Sequence, residues 1–462
     1  MKTLHRLAAL SAAILLSSAA LQAQSGILVT DSMTDPAIIE AISRVDADSI
    51  RTYIGELVAF HTRHTLSSQT DPSRGIGAAV NYLVAKCKSW AKPWSSVRPA
   101  PEVEVVRYPV GGNGGRYDRK TTVPEVMVTI PGTAPDKEII LLAHIDTRVA
   151  DVMDSTSFAP GANDDGSGLA CLLEVVRILS DTPLRQTVKC IFVSGEEQGL
   201  DGSKYMARRA KEEGWPILAV INNDMIGNTE ASGTGLREDH KVRVFSESRS
   251  GEDSDPRQLA RYIRETAERY VPAQEVKIIY RNDRYRRSGD HTSFLKEGFT
   301  AVRMSEYCEN YDRTHQYVRT ENGIDYGDML SGVDIPSLRR NIQINLASVM
   351  NLASAPARPE GVKIANAGEL SNETVIRWNI GDASSKSEGI GSYQVLYRET
   401  DQPVWKVLAT VPAEPSIPAV RPSKANDPTA MEYICPLSKD NYFFAVRAVS
   451  PTGNPSLPAV AR

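Results

Sequence analysis

The pattern of apolar and polar positions divides the chain into three parts. Residues 38–88 carry apolar side chains at helical spacing, as in DSIRTYIGELVAF and GIGAAVNYLVAKC. From residue 125 to residue 353, short apolar runs alternate with longer amphipathic ones. After Pro359 the helical spacing stops, and short alternating runs separated by turn residues follow. The pattern therefore predicts a large α/β unit and a small β unit.

The middle part predicts a sheet covered by helices. Its strand-like runs are 125–132, 138–144, 186–194, 217–224 and 299–306, and its helix-like runs are 167–181, 202–214, 256–271 and 334–353. Such an alternation is typical of a mostly parallel mixed sheet sandwiched by helices, which binds ligands at the carboxyl ends of its strands. The polar segment 228–250 is predicted to be a loop at the rim of that site.

Length and charge narrow the class of protein. A chain of 462 residues is too long for one ordinary domain and suits one large domain with a smaller one. Its 53 basic and 57 acidic residues give a formal net charge of −4, and no long basic run occurs. Nucleic acid is therefore excluded as an expected partner.

The N-terminus has the pattern of an export signal. Lys2 and Arg6 precede the apolar run LAALSAAILLSSAAL, and LQAQ offers cleavage after Ala23. The run is shorter than the ~20 apolar residues that a membrane-spanning helix needs. We therefore expect residues 1–23 to be a signal peptide and the protein to be exported, periplasmic or secreted, with no transmembrane segment once the signal is removed.

Side chains that bind metals cluster after the predicted strands. The segments LLAHID, APGANDDGSG, CIFVSGEE, AVINND and ENYDRTHQ supply His144, Asp146, Asp164, Asp165, Glu196, Glu197, Asp224 and His315. So many carboxylates at one sheet edge repel one another unless cations neutralise them. Mixed His, Asp and Glu ligands suit Zn²⁺, and a shared carboxylate suits a two-metal site. A carboxylate outside the ligand set could then act as a general base.

These segments closely resemble the aminopeptidase-like zinc peptidases of family M28, which have a co-catalytic metal pair. The matching stretches are HID, GANDDGSG, SGEEQGLDGS, NNDM, GDHTSF and THQ, and they span most of residues 141–315. The resemblance implies a zinc exopeptidase fold over residues 24–355 and two Zn²⁺ ions per chain.

The resemblance also implies the metal ligands. His144 and Asp224 would hold one zinc ion, Glu197 and His315 would hold the other, and Asp164 would bridge the two. The setting of the last histidine, RTHQYVRT, departs from the HTxxDT pattern that is frequent in the family.

Four further features follow from the same resemblance. Glu196 would be the general base. Asp146 would accept a hydrogen bond from the ring of the first histidine ligand and orient it. Tyr285 would donate a hydrogen bond to the tetrahedral intermediate. The peptide bond between Asp164 and Asp165 would be cis.

The C-terminal part, residues 358–462, resembles a fibronectin type III β-sandwich. The similar stretches are TVIRW, SYQVLYRE and YFFAVRAVSPTGNPS, in which Trp378 and Tyr442 are predicted to be core residues. Such a module could serve as a stabilising spacer, or it could dock the enzyme to a surface or a substrate.

The resulting hypothesis is an exported, zinc-dependent aminopeptidase, a hydrolase that acts on peptide substrates. Three alternatives stay open: a carboxypeptidase, a glutaminyl cyclase with one zinc ion, and a non-catalytic binding module. The ligand set and the base argue against the last. A carboxypeptidase needs an arginine for the substrate carboxylate, and Arg281, Arg284, Arg286 and Arg287 lie on one segment. We expect these arginines to be solvated, and we expect the carboxylate-rich crevice to favour a cationic N-terminus.

Overall fold

A computed structural model describes residues 34–93, 99–112, 114–248, 251–285, 287–379, 389–413, 420–423 and 427–462. These residues form two compact units, 34–354 and 355–462. The predicted signal peptide, residues 1–23, lies outside the described residues. Within the described ranges, every helix is too short or too polar to cross a membrane.

The first unit is built on an eight-stranded sheet. Its strands are β1 (Glu102–Val110), β2 (Thr121–Ile130), β3 (Glu138–His144), β4 (Thr187–Val193), β5 (Ile217–Asn223), β6 (Lys241–Ser246), β7 (Glu275–Ile279) and β8 (Ala301–Glu306). Their order is β1-β2-β4-β3-β5-β8-β6-β7. The parallel pairs are β4–β3, β3–β5, β5–β8 and β6–β7. The antiparallel pairs are β1–β2, β2–β4 and β8–β6. A separate hairpin consists of β9 (Arg319–Glu321) and β10 (Ile324–Tyr326).

Helices of this unit are α1 (Pro36–Ser43), α2 (Ala47–Val58), α3 (Gly75–Trp90), α4 (Gly166–Leu179), α5 (Glu196–Gly199), α6 (Asp201–Glu212), α7 (Asp255–Tyr270), α8 (His291–Lys296) and α9 (Ile335–Ser354), with a 3₁₀ turn at Leu330–Gly332. The α4 helix is buried at every position except Arg177. The interior strand β4 is buried throughout, because TVKCIFV offers mostly apolar side chains to both faces of the sheet and its one lysine, Lys189, pairs with Glu138 at 2.9 Å. The predicted fold class is confirmed.

One part of the sequence interpretation is wrong. The segment 228–250, predicted to be a loop, contains strand β6, which lies between β8 and β7. Val242, Val244 and Phe245 are fully buried there, whereas Lys241 and Arg243 of the same strand are charged and only partly buried. The strand is short and charged residues flank it, so the apolar positions do not form a pattern that stands out in the sequence.

The second unit contains two four-stranded antiparallel sheets. Its strands are β11 (Glu360–Ile364), β12 (Thr374–Asn379), β13 (Ser392–Glu399), β14 (Lys406–Pro412), β15 (Val420–Ser423), β16 (Asp427–Cys435), β17 (Tyr442–Val449) and β18 (Ala459–Val460). The orders are β11-β12-β16-β15 and β14-β13-β17-β18. Trp378 from one sheet is fully buried, with its ring centroid 5.6 Å from that of Tyr393 in the other. The predicted core position of Trp378 is confirmed, whereas Tyr442 is only partly buried beside the same core.

We expect a chain truncated after Ala357 to remain soluble and to unfold cooperatively. The boundary between the two units falls at residues 354 and 355, within the Pro-rich stretch SAPARPEG, and linkers of this composition usually separate independently folding domains. Thermal unfolding followed by circular dichroism measures this outcome. An insoluble truncated chain would show instead that the first unit needs the second to cover apolar surface.

Candidate metal centre

The candidate site lies at one edge of the large sheet. The carboxyl ends of β3, β4 and β5 meet there because these strands pair in parallel. The remaining site residues come from the loop before α4 and from the loop after β8. The side chains brought together are His144, Asp164, Glu196, Glu197, Asp224 and His315.

Two groups of potential metal ligands share one carboxylate. His144, Asp164 and Asp224 form the first group, in which the ligand atoms all lie within 4.8 Å of one another. Asp164, Glu197 and His315 form the second group under the same limit. Four of these five side chains are buried, and His315 is partly exposed. The structure thus places all five predicted ligands where two metal ions could be bound.

Asp164 presents a different oxygen to each group. Its Oδ1 lies 3.1 Å from Nε2 of His144, and its Oδ2 lies 3.0 Å from Nε2 of His315. Nε2 of His315 is also 2.7 Å from Oε1 of Glu197. Burial opposes the charged form of Asp164, but its contacts with both imidazoles lower its pKa well below the usual value. Asp164 therefore contacts both ligand groups, one through each oxygen.

Backbone hydrogen bonds hold this aspartate in place. The amide N–H of Asp164 donates to the Asp328 carboxylate at 2.7 Å, and the neighbouring amide of Asn163 donates to it at 3.0 Å. The Asp164–Asp165 peptide bond is cis, as the resemblance implies. Asp165 faces away from both ligand groups, and its carboxylate accepts the amide N–H of His144 at 3.1 Å and of Gly168 at 3.0 Å. A side chain at Gly168 would collide with this carboxylate, because an added Cβ would lie 2.5 Å from it.

Asp146 lies beside the first histidine, but its contacts differ from those expected. Nδ1 of His144 donates to the backbone carbonyl of Asp146 at 3.0 Å, whereas the carboxylate is 3.8 Å away. The carboxylate instead accepts the amide N–H groups of Glu196 at 3.2 Å and Glu197 at 3.1 Å. The main chain of Asp146 therefore orients the ring of His144, and its side chain positions the glutamate pair. The hydroxyl of Thr65 also donates to this carboxylate, at 3.2 Å.

Glu196 lines the cavity without belonging to either ligand group of the described residues. Burial raises the pKa of its carboxyl well above the usual value, and the charges of Glu197 and Asp224 add to this effect. A nearby cation would reverse that effect and favour the carboxylate. The position suits a residue that accepts a proton beside a metal rather than one that binds it.

Two arginines that the sequence interpretation missed bind the ligands. Nε of Arg148 is 2.8 Å from Oε2 of Glu197, and its Nη2 donates to Nδ1 of His315 at 2.6 Å. Nη2 of Arg303, which is fully buried, is 2.9 Å from Oδ1 of Asp224. A single arginine inside the apolar strand run AVRMSE was the available signal for Arg303, because a buried charge requires a partner. Arg148 lies on a loop, and its neighbours in the sequence carry no such signal.

Comparisons with known proteins decide the family. A model of peptidase family M28 matches residues 125–330. A probable zinc metalloprotease of Leptosphaeria maculans is 36% identical over 430 residues, which cover 89% of this chain and 93% of that protein. The chain belongs to peptidase family M28. It is thus a zinc metallopeptidase. A second probable zinc metalloprotease, from Pyrenophora tritici-repentis, is 34% identical to it over 94% of this chain and 88% of that protein.

Solved structures share the fold of this M28 peptidase. The LapA aminopeptidase of Legionella pneumophila aligns with a TM-score of 0.50 and 21% identity, covering 68% of this chain and 74% of that one. LapB from the same organism aligns with a TM-score of 0.51 and 21% identity, covering 71% and 80% of the two chains. At this level of identity the likeness concerns the fold alone.

A cavity of about 470 Å³ opens onto the two ligand groups of the M28 peptidase. Ten of its sixteen lining residues are charged residues or histidines. The lining residues are Arg116, His144, Arg148, Asp164, Glu196, Glu197, Gly199, Leu200, Asp224, Met225, Arg284, Arg287, Ser288, Tyr311, Thr314 and His315.

The expected solvation of the arginine segment is wrong for Arg284, whose side chain is 10% exposed, whereas the side chain of Arg287 is 41% exposed. Arg284 and Arg287 line the cavity, because Glu309 draws both guanidinium groups inward at 3.2 and 2.9 Å. Arg281 is exposed and stacks over the ring of Tyr285, with its guanidinium carbon 4.2 Å from the ring centroid. Arg286 lies outside the described residues.

Tyr285 does not reach the cavity in this structure. Its side chain is 82% exposed and contacts Arg281 instead of the ligand groups. Another tyrosine, Tyr311, lines the cavity, and its hydroxyl accepts a hydrogen bond from Arg287 at 3.2 Å. The binding of a reaction intermediate by Tyr285 stays a prediction, and it would require the segment to move inward.

The residues present fit zinc. Each ligand group offers one imidazole nitrogen and two carboxylates, a donor set that zinc accepts. The adjoining cavity leaves an open side at the centre, as catalytic zinc sites require. Burial opposes the charged form of His315, but Glu197 and Asp164 raise its pKa to about 10. The same carboxylates would stabilise a metal cation in this place.

Zinc binding to the M28 peptidase is expected to release protons at pH 7. Although burial opposes the charged ring of His144, Asp164, Asp165 and Glu196 outweigh it and raise the pKa of this histidine in the metal-free site well above its usual value. Its Nδ1 donates to the carbonyl of Asp146 and its Nε2 lies 3.1 Å from Oδ1 of Asp164, so both ring nitrogens carry a proton at neutral pH. Zinc binds the neutral ring, so a proton must leave, and the apparent zinc affinity must rise with pH. Calorimetric zinc titrations in buffers of different ionisation enthalpy count the protons released. Identical heats in all buffers would contradict this expectation.

Proposed function

We propose that this M28 peptidase is an aminopeptidase that uses two zinc ions per chain and Glu196 as the general base. The observation that supports it most is the position of Asp164, whose two oxygens lie 3.1 Å from Nε2 of His144 and 3.0 Å from Nε2 of His315. One carboxylate that serves two ligand groups is the feature of a two-metal site. Glu196 lies at the same cavity and belongs to neither group.

The chain's own residues account for the movement of the proton. When bound, zinc supplies Lewis-acid chemistry, because it polarises a carbonyl group and lowers the pKa of water. The Glu196 carboxylate takes the proton from the attacking water and returns it to the leaving amine. Its position is fixed at the start of α5, where its amide N–H donates to Asp146 at 3.2 Å. The amide of Glu197 also donates to the Asp146 carboxylate, which keeps Glu196, the proposed base, beside Glu197, the proposed ligand.

Recognition of the substrate's amino group is supported by the charges on the cavity wall. Four carboxylates line the cavity, and three of them belong to the ligand groups. Glu196 belongs to neither group, so bound metal ions leave it with a negative charge that attracts a group of opposite sign. A cationic N-terminus placed there would bring the first peptide bond to the ligand groups. The carboxylates are Asp164, Glu196, Glu197 and Asp224.

A carboxypeptidase is the second candidate, and a specific observation favours it. Arg284 and Arg287 line the same cavity, and guanidinium groups bind carboxylates through paired hydrogen bonds. A peptide could thus be held by its C-terminal carboxylate. The aminopeptidase is preferred because Glu196, a carboxylate outside both ligand groups, lines the cavity where the scissile bond must lie.

Blocking each end of a substrate separates the two candidates. We expect N-acetylation of a cleaved peptide to abolish hydrolysis and C-terminal amidation to leave hydrolysis measurable, and we expect a zinc chelator to stop the reaction. Chromatography of the products identifies the bond that is cut. Cleavage of N-acetylated but not of C-amidated peptides would contradict the aminopeptidase and support the carboxypeptidase.

The remaining parts of the chain receive related proposals. Residues 1–23 act as an export signal, residues 24–355 form the peptidase domain, and residues 358–462 form a fibronectin type III-like domain that docks the enzyme to a surface or a substrate. The basic and apolar N-terminal pattern supports the first, and the two antiparallel sheets support the last. Recovery of an exported chain that begins at Gln24 tests the signal. Activity of the truncated chain on long and short peptides tests docking.

A further inference from the structure

Two arginines give part of the cavity wall a charge opposite to that of the ligand carboxylates. Arg284 is 10% exposed and Arg287 is 41% exposed at the side chain, and both line the cavity with the candidate ligands. Arg116 and Arg148 line it too. Once metal cations neutralise the ligand carboxylates, these guanidinium groups leave the cavity with an excess of positive charge.

The carboxylates nearby are too few to neutralise this part of the wall. Glu309 accepts from Arg284 and Arg287 through Oε2 at 3.2 and 2.9 Å, and from Arg243 through Oε1 at 2.7 Å. Three guanidinium groups therefore share one carboxylate. Although burial opposes its ionisation, the pKa of Glu309 is lowered to about 2, which keeps it charged. Its single charge is divided among three partners.

Asp283 does not supply the missing negative charge. It contacts Nε of Arg284 at 3.2 Å, but it is also held by Nη1 of the fully buried Arg303 at 3.1 Å. Arg303 in turn binds Asp224, which is one of the candidate metal ligands. The carboxylates around Arg284 are thus already engaged with other cations.

Some N–H donors of these arginines have no partner in the described part of the chain. Arg284 uses Nε for Asp283 and Nη1 for Glu309, which leaves Nη2. Arg287 uses Nη1 for Glu309 and Nη2 for the Tyr311 hydroxyl, which leaves Nε. The remaining N–H groups can donate to a ligand, and a carboxylate accepts such charge-assisted hydrogen bonds.

Few large apolar side chains line the cavity. Leu200, Met225 and the ring of Tyr311 are the large apolar groups among its lining residues. A pocket selective for hydrophobic side chains is mostly lined by such groups. A charged or polar substrate group fits this wall better.

We propose that Arg284 and Arg287 form a carboxylate-binding subsite, so that the preferred substrate carries a carboxylate close to the scissile bond. The carboxylate comes from one of two sources, an acidic side chain on the N-terminal residue or the C-terminus of a very short peptide. This inference rests on the proposed function, because it assumes that the scissile bond lies at the two ligand groups.

The test compares matched substrates that differ in one charge. Chromogenic anilides of Glu, Gln and Leu, all with a free amino group, report a side-chain preference. A dipeptide and its C-terminal amide report a preference for the terminal carboxylate. We expect kcat/KM to be higher for the charged member of at least one pair by about tenfold or more, as for hydrogen bonds between charged groups.

Variants of one segment assign the preference to residues. Arg287→Gln, a change at a partly exposed side chain, should reduce the charged-to-neutral ratio of kcat/KM towards one, mainly through KM. Arg281→Gln is the matched control, because it removes the same charge from the same segment at an exposed residue that does not line the cavity. The control should keep the ratio of the unaltered protein.

Each outcome separates the inference from the proposed function. A preference for Glu over Gln identifies the side chain as the source, and a preference for the free dipeptide identifies the C-terminus. Equal rates within both pairs, or equal loss in both variants, overturn the subsite. If only N-acetylated peptides are cleaved, the aminopeptidase is overturned. The subsite is then tested on N-acetylated peptides with a free or an amidated C-terminus, using the same two variants.

Discussion

Glu196→Gln is expected to lose almost all activity while the protein keeps its zinc. The general base contributes about 10²–10⁴-fold to the rate in many enzymes, and we expect a loss at or above the upper end when the base also activates the water. Glutamine has nearly the same shape but cannot accept the proton. Because Glu196 belongs to neither ligand group, its replacement should not remove metal.

The neighbouring residue provides the matched control for this experiment. Glu197→Gln makes the same chemical change one position further, but Glu197 belongs to the second ligand group and lies 2.7 Å from Nε2 of His315. This variant should lose zinc as well as activity. Zinc content and kcat/KM measured on both proteins distinguish the roles. An active Glu196→Gln protein, or one that lacks zinc, would show that the roles within the pair are assigned wrongly.

Asp164→Ala is expected to lose more zinc than His144→Ala or His315→Ala. Asp164 is the residue that the two ligand groups share, so its removal weakens both, whereas each histidine belongs to one group. Its loss also leaves both imidazoles without the carboxylate that they contact at 3.1 and 3.0 Å. Each histidine variant should retain about one of two zinc ions if the groups bind independently.

Elemental analysis of the three purified variants measures this difference. A well-formed circular dichroism spectrum serves as the control for folding, because the backbone N–H of Asp164 also donates to the Asp328 carboxylate and helps to hold the loop before α4. Equal partial loss in the three variants would contradict a bridging aspartate. It would support a single zinc ion and the alternative of a glutaminyl cyclase.

The sequence was most informative where chemistry and strand periodicity coincide. The carboxyl ends of buried parallel strands must meet at one sheet edge, so His144 and Asp224 could be placed together before any coordinates were known. The parallel centre of the sheet follows from the same apolar runs. Strand β6 could not be recognised, because its buried Val242 and Val244 alternate with Lys241 and Arg243 inside a polar segment.

The side chains on loops could not be placed from the sequence. Arg284 and Arg287 point into the cavity because Glu309, more than twenty positions further along the chain, binds them. Tyr285, between them, faces solvent. Local sequence does not encode such long-range pairs, and general tendencies favour exposure of charged residues. The carboxylate of Asp146 likewise binds backbone amides that only the folded strand ends bring near it.

The number of zinc ions bound per chain tests the central claim most directly. Metal-free protein can be titrated with zinc, freed of excess metal and analysed for zinc and protein in the same sample. Two ligand groups that share Asp164 predict two zinc ions per chain and full activity only after the second has bound. A protein that is saturated and fully active with one zinc ion would contradict the two-metal site.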